Sequence, residues 1–109
     1  MAIVYKVLGQ SNPPAATATP LYTVPASTSA VVSTITICNQ SSSADQFRIA
    51  IRPAGATLAA QHYIAYGTAI PANDSISLTI GITLATTDVI TVYAGTTNLS
   101  FNAFGSEIS

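Results

Sequence analysis

At 109 residues the chain has the length of one domain and can bury a core of its own. Lys, Arg, Asp and Glu make up 6% of it, against roughly 25% in an ordinary soluble domain, and the formal net charge is −1. Three basic residues cannot neutralise a run of nucleic-acid phosphates, no segment reaches the ~20 apolar residues of a membrane-spanning helix, and a single cysteine, Cys38, excludes an intrachain disulfide framework.

Taken in chain order, residues 3–8 are a short apolar stretch that predicts a first, peripheral strand. Residues 9–20 (GQSNPPAATATP) are rich in Pro, Ala and Thr, and Pro13 and Pro14 disfavour helix, so residues 1–20 read as a strand followed by an extended arm. Such an arm is either a connector laid across its own sheet or a strap over a neighbouring subunit. Without a basic leader and apolar run, the chain is expected to begin in the cytoplasm. The remainder, residues 21–109, is expected to form one sandwich core.

Residues 21–24 predict a brief strand closed by Pro25. The clearest signal follows in residues 30–55, AVVSTITICNQSSSADQFRIAIRPAG. Two alternating segments flank a polar turn and predict a hairpin. Its inward residues are expected to be Val31, Ile35, Ile37, Phe47, Ile49 and Ile51. Cys38 has the opposite parity to Ile37 and is expected as a small, semi-buried residue on the other face. Arg48 and Arg52 lie two positions either side of Ala50 and share the outward face.

Beyond Pro53, residues 56–60 read as a connector. Residues 62–66 predict a strand carrying Tyr63 and Tyr66 on opposite faces, and Pro71-Ala72-Asn73-Asp74 is a strong turn. Residues 75–82 (SISLTIGI) alternate with Ile76, Leu78, Ile80 and Ile82 on one face, and Gly81 on the other face marks a bulge or a close backbone approach. After a loop at 83–87, residues 89–94 predict a buried strand. Residues 99–104 predict the last strand, ahead of a polar tail at 105–109. The turns TVPAST and IPANDS echo one another, each placing Pro-Ala before a polar turn that leads into a strand.

About seven to eight short strands at ten-residue intervals, with no helical period, define an all-β fold: a single antiparallel β-sandwich, jelly-roll-like or Ig-like, with an extended N-terminal arm. The Cys pair and Trp of true immunoglobulin domains are missing.

Catalytic chemistry finds little material here. His62 is the sole histidine, no G-x-S-x-G elbow presents a serine, and there is no glycine-rich phosphate loop. One His and one Cys fall short of a structural zinc site. Asp74 and Asp88 each precede a strand, where a carboxylate caps backbone donors more readily than it joins a calcium site. The reading is non-enzymatic, with no cofactor and no metal. A small cell-wall enzyme is the opposing idea, and it would require activity lost on His62→Ala.

Contact chemistry is better supplied. Two guanidinium groups in a chain almost without charge suit carboxylates on a partner, and tyrosines suit interfaces. Arg48, Arg52, Tyr5, Tyr22, Tyr63 and Tyr66 are therefore the candidate protein-contact residues.

The run LYTVPA, the strand end Cys38-Asn39, the segment FRIAIRPAG, the turn IPANDS, the pair GITL…DVITVY and the terminal SFNAFGSE together resemble small virion structural proteins of tailed bacteriophages. The resemblance covers residues 21–107. It implies a virion location, assembly in the host cytoplasm, and partners among other virion proteins, the major capsid protein first, with self-association as a homo-oligomer. It implies a capsid decoration (cement) protein or a tail, baseplate or fibre module, acting on neither nucleic acid nor membrane.

Overall fold

Nearly every segment with period-2 alternation is a strand in the computed structural model, which describes residues 2–109. The strands are β1 (Ile3–Ser11), β2 (Thr19–Thr23), β3 (Ser29–Asn39), β4 (Asp45–Arg52), β5 (Tyr63–Ile70), β6 (Ser75–Leu78), β7 (Ile82–Leu84), β8 (Val89–Ala94) and β9 (Leu99–Ile108). Single 3₁₀ turns occupy Pro53–Gly55 and Ala60–His62. Among the described residues no helix is long and apolar enough to cross a membrane.

The strands form two antiparallel sheets. The first runs β1-β9-β3-β6, with β7 sharing the β3 edge beside β6; the second runs β2-β8-β4-β5. The pairings are nested in sequence: β4 with β5, β3 with β6 and β7, β2 with β8, β1 with β9. The chain is thus one long hairpin with its tip at β4–β5, rolled so that successive strand pairs fall in alternate sheets. That is the jelly roll, in which two Greek keys close a double sheet. An immunoglobulin sandwich would instead place sequential strands side by side.

The inward faces meet in a core of Ile, Val, Leu and Phe. Phe47 of the second sheet meets Phe101 of the first edge to face, with centroids 6.2 Å apart at 75°, and both are fully buried. Truncating either to Ala removes about 3–5 kcal/mol.

The expected β3–β4 hairpin is not one. Both edges of β3 are taken by strands of the first sheet and both edges of β4 by strands of the second, so residues 40–44 cross the sandwich. Asn39 makes the crossing possible. It has the parity of Ile35 and Ile37 and points inward, 1% exposed. Its Nδ2 donates to the carbonyls of Ser43, Ile70 and Pro71 at 2.9, 3.3 and 3.1 Å, while its Oδ1 accepts from the Ser41 amide at 3.0 Å. The side-chain amide therefore supplies the donors for three carbonyls, and an acceptor for one amide, at a corner where ladder bonding stops.

Bulges overturn several parity expectations. Between Val32 and Thr34 the β3–β9 register shifts, leaving Ser33 over, and its hydroxyl donates to the Phe104 carbonyl at 3.1 Å. The extra residue reverses the faces, so Val32 is buried and Val31 is exposed, contrary to expectation. Ile51 is only partly buried. The segment expected as one strand over 75–82 splits at Gly81, whose φ of +60° is left-handed, and Ile80 is consequently exposed. Residues expected as a polar tail continue β9 to Ile108, because β1 and β3 pair with it on both sides. Cys38 is exposed rather than semi-buried.

Of the two paths open to the N-terminal arm, the chain takes the one within the subunit. Residues 12–18 cross from β1 to β2, fastened by Asn12 Nδ2 donating to the Thr97 and Leu99 carbonyls and by the Ala16 amide on the Ala94 carbonyl. The echo between TVPAST and IPANDS is conformational: the third residue of each Pro-Ala-x turn, Ser27 or Asn73, is left-handed (φ 57° and 53°).

Candidate functional site

Arg48 is the centre of the second sheet's outer face. Register places it between Tyr93 of β8 and Tyr66 of β5. Its guanidinium carbon stands 4.2 Å from both ring centroids, a cation held between two aromatic faces. Tyr63 meets Tyr66 edge to face at 4.9 Å and 88°. Parity predicts these two tyrosines on opposite faces; β5 corrects it with a bulge against β4 at Ile64, between them, and bulges again at Gly67. Gly67 adopts φ +65°, the backbone such a bulge requires. Both rings thereby reach the outer face and, with Leu58, Ala59 and Ala60, line an open groove of about 530 Å³.

Residues 53–62 fold back over the rest of this face. Asp88 latches them, accepting from the Ala54 amide through Oδ1 and the Ala85 amide through Oδ2, both at 2.8 Å. Under this cover Ala50, Val89 and Thr91 are buried although they point outward. His62 takes part: its Nδ1 accepts from the Ala59 amide at 3.1 Å, shaping the groove wall. Arg52 lies on the same face as Arg48, opposite Val89. Neither arginine has a carboxylate within ion-pairing distance, since Lys6–Glu107 at 3.3 Å is the one salt bridge among the described residues. The Nε of each arginine is buried without a hydrogen-bond partner.

Tyr22 stands elsewhere. Its ring is in the core, 8% exposed, and its hydroxyl donates to Glu107 Oε2 at 2.6 Å. Burial, then the bond to Glu107, pushes the phenol well above its ordinary range. Donation from Tyr22, assisted by Lys6 and opposed by burial, holds the Glu107 carboxyl below its ordinary value. Tyr22 therefore ties the edge of the second sheet to β9 and presents no contact surface.

Tyr5 is 83% exposed on the first sheet's outer face. Register aligns it there with Ser106 and Val31, while Val7 aligns with Phe104 and Ile3 with Ile108. Farther along the same face stand Thr34, Thr36, Cys38, Ser77, Ser100 and Asn102, and no Lys, Arg, Asp or Glu lies among them. Among the described residues nothing covers this face, and β1 forms its free edge: Ile3 through Val7 are exposed in succession.

Asp45 and Asp74 serve turns. Asp45 accepts from the Thr96 hydroxyl and amide at 2.6 and 3.2 Å, and Asp74 from the Ser75 amide at 2.7 Å. Among the described residues no three His, Cys, Asp or Glu side chains converge to hold a metal ion.

Sequence reasoning counted Tyr93 among the tyrosines able to form a contact surface but did not set it beside Arg48, and it did not select Val31, Phe104 or Asn39 for the site. Tyr93 was legible, since it shares parity with Thr91 in a strand otherwise apolar. An asparagine on the inward parity at a strand end is likewise a readable sign of a polar corner. Val31 was hidden by the Ser33 bulge. Comparison with protein-family models, curated proteins and solved structures returns no match for this chain.

Proposed function

We propose that the chain is a non-enzymatic structural protein of a tailed-bacteriophage virion, a capsid decoration protein that binds the assembled shell and stabilises it. The observation that carries this reading is the first sheet's outer face, bare and free of formal charge, with Ile3, Tyr5 and Val7 on the open edge strand and Phe104 and Val31 on the next two strands in. Charge normally keeps free domains apart, and a contiguous exposed apolar strip marks a surface that meets another protein. The sequence resemblance over residues 21–107 supplies the class of that protein. Jelly rolls recur in viral capsid proteins and in lectins, which is support by analogy of fold alone.

In this reading the partners are the major capsid protein, other virion proteins and further copies of the chain, and the location is the virion, assembled in the host cytoplasm. Added buried area across capsid joints reinforces the shell. Gel densitometry of purified virions tests it. A cement protein is present near the abundance of the major capsid protein, and imaging of the particle places it on the shell.

A second reading, a tail, baseplate or fibre module involved in host attachment, is favoured by the groove lined by Tyr63 and Tyr66 beside the stacked Arg48. Flat aromatic rings beside a hydrogen-bond donor suit a host glycan. Abundance at a small fraction of the capsid protein, with density on the tail, selects it.

A further inference from the structure

We infer that the chain self-associates through β1, two copies pairing antiparallel about a two-fold axis at Tyr5, so that their first sheets join into one. This deepens the self-association part of the proposed function and is independent of location on a particle; purified protein tests it, so its failure leaves the virion reading standing.

The inference starts from backbone bonding. Ala2 and Ser109 exchange both backbone hydrogen bonds, at 2.8 and 2.9 Å. In an antiparallel ladder bonded and non-bonded pairs alternate. With the regular register Ile3↔Ile108 through Val7↔Phe104, Val4 and Lys6 bond to β9, while Ile3, Tyr5 and Val7 aim their N–H and C=O groups at the free edge. The register breaks immediately after Val7. The regular free segment therefore runs from Ile3 to Val7, and its midpoint is Tyr5.

A two-fold axis normal to the sheet opposes residues of like parity, so the axis falls on a residue. Centred on Tyr5, it pairs Tyr5 with itself and Ile3 with Val7, and each outward-aimed donor meets an acceptor in both copies. Centred on Lys6, it would set like charges opposite one another, which is destabilising. Centred on Val4, it pairs only Ile3 with Tyr5 among the free residues of the segment. The Tyr5 register also sets Lys6 against Val4 of the second copy, and it continues the apolar strip of Tyr5, Val31 and Phe104 across the junction. The usual guards of an exposed edge, a proline or a charge set centrally on the outward-bonding residues, are missing from Ile3, Tyr5 and Val7. A second copy presents the same free groups in the same order, which is what an isologous contact requires.

Cysteine pairing reads the register directly. In a Cys38→Ser background, Tyr5→Cys places two thiols on a hydrogen-bonded pair with Cα atoms about 5.5 Å apart, within disulfide reach. Lys6→Cys places them two residues out of register and beyond it. Mild oxidation is expected to link Tyr5→Cys into dimers at least about tenfold faster than Lys6→Cys. Tyr5→Pro, which removes only an outward-aimed donor, is expected to leave the unfolding transition in place and abolish the concentration-dependent dimer in sedimentation equilibrium. Equal cross-linking at both positions, or a dimer that survives Tyr5→Pro, overturns the inference. A chain that stays monomeric and links at neither position also overturns it, and leaves the edge for a strand of a different protein.

Discussion

The two outer faces of this sandwich are treated differently by the same chain. Over the second sheet, residues 53–62 fold back, Asp88 latches them, and outward residues such as Ala50 and Thr91 become buried. What remains open there is a groove beside an arginine stacked between two tyrosines. Over the first sheet no described segment folds back: Tyr5 stands exposed on the edge strand β1, whose backbone groups alternate between used and free, and Val31 is exposed farther in on β3. A chain that can seal one face with ten residues and one carboxylate has the means to seal the other. In the proposed function the bare face is the one that meets another molecule, so the difference separates what stabilises the fold from what the fold offers.

Unsealing the covered face gives the largest expected effect. Asp88→Ala leaves the Ala54 and Ala85 amides without their charged acceptor and is expected to cost about 2–4 kcal/mol, read by urea denaturation. Hydrogen exchange should quicken across residues 53–62 while β1 is unchanged. Next comes the tie between the sheets at the open end. Tyr22→Phe is expected to cost about 1–3 kcal/mol at neutral pH, and it also reshapes the pH dependence. Glu107, depressed below its ordinary 4.5, contributes stability above that pH that is lost as pH falls through its folded value. Tyr22, raised above its ordinary 10.0, contributes stability below that pH that is lost as pH rises toward its folded value. Thermal melts of Tyr22→Phe from acid to alkaline pH should show both limbs flattened.

A smaller change is expected at the groove. Arg48→Ala loses two cation–π contacts, about 1 kcal/mol of stability in denaturant melts, with the dimer intact. Smallest is Ser77→Lys on the bare face. It is expected to shift stability by no more than about 0.5 kcal/mol, since Ser77 is exposed. A large loss from Ser77→Lys, or none from Asp88→Ala, would erase the contrast between the faces.

Much of the architecture was legible in the residues. Alternation located the strands, the core residues Ile35, Ile37, Phe47 and Ile49 followed from parity, and the acids before strands proved to be caps. What parity could not deliver was any face beyond a bulge. One extra residue at Ser33 put Val31 outside, and the bulge at Ile64 brought Tyr63 and Tyr66 to one face. A bulge is decided by the partner strand, which local sequence does not contain. The same limit made β3 and β4 look like a hairpin, because a polar five-residue loop suits a crossing as well as a reversal. For the candidate site, Arg48, Tyr63 and Tyr66 were named as contact residues but not as neighbours, since parity set the two tyrosines on opposite faces and the stacking also depends on Tyr93. Tyr22 was misplaced because a tyrosine's parity does not reveal that an acid on the other sheet will receive its hydroxyl.

Amide hydrogen exchange along β1, followed by NMR as a function of protein concentration, tests the account most directly. The amides of Val4 and Lys6, bonded to β9, should be protected at every concentration. Those of Ile3, Tyr5 and Val7 should exchange freely in dilute protein and become protected as concentration rises. Free exchange at these three residues at all concentrations, or protection of all five in dilute protein, would contradict it.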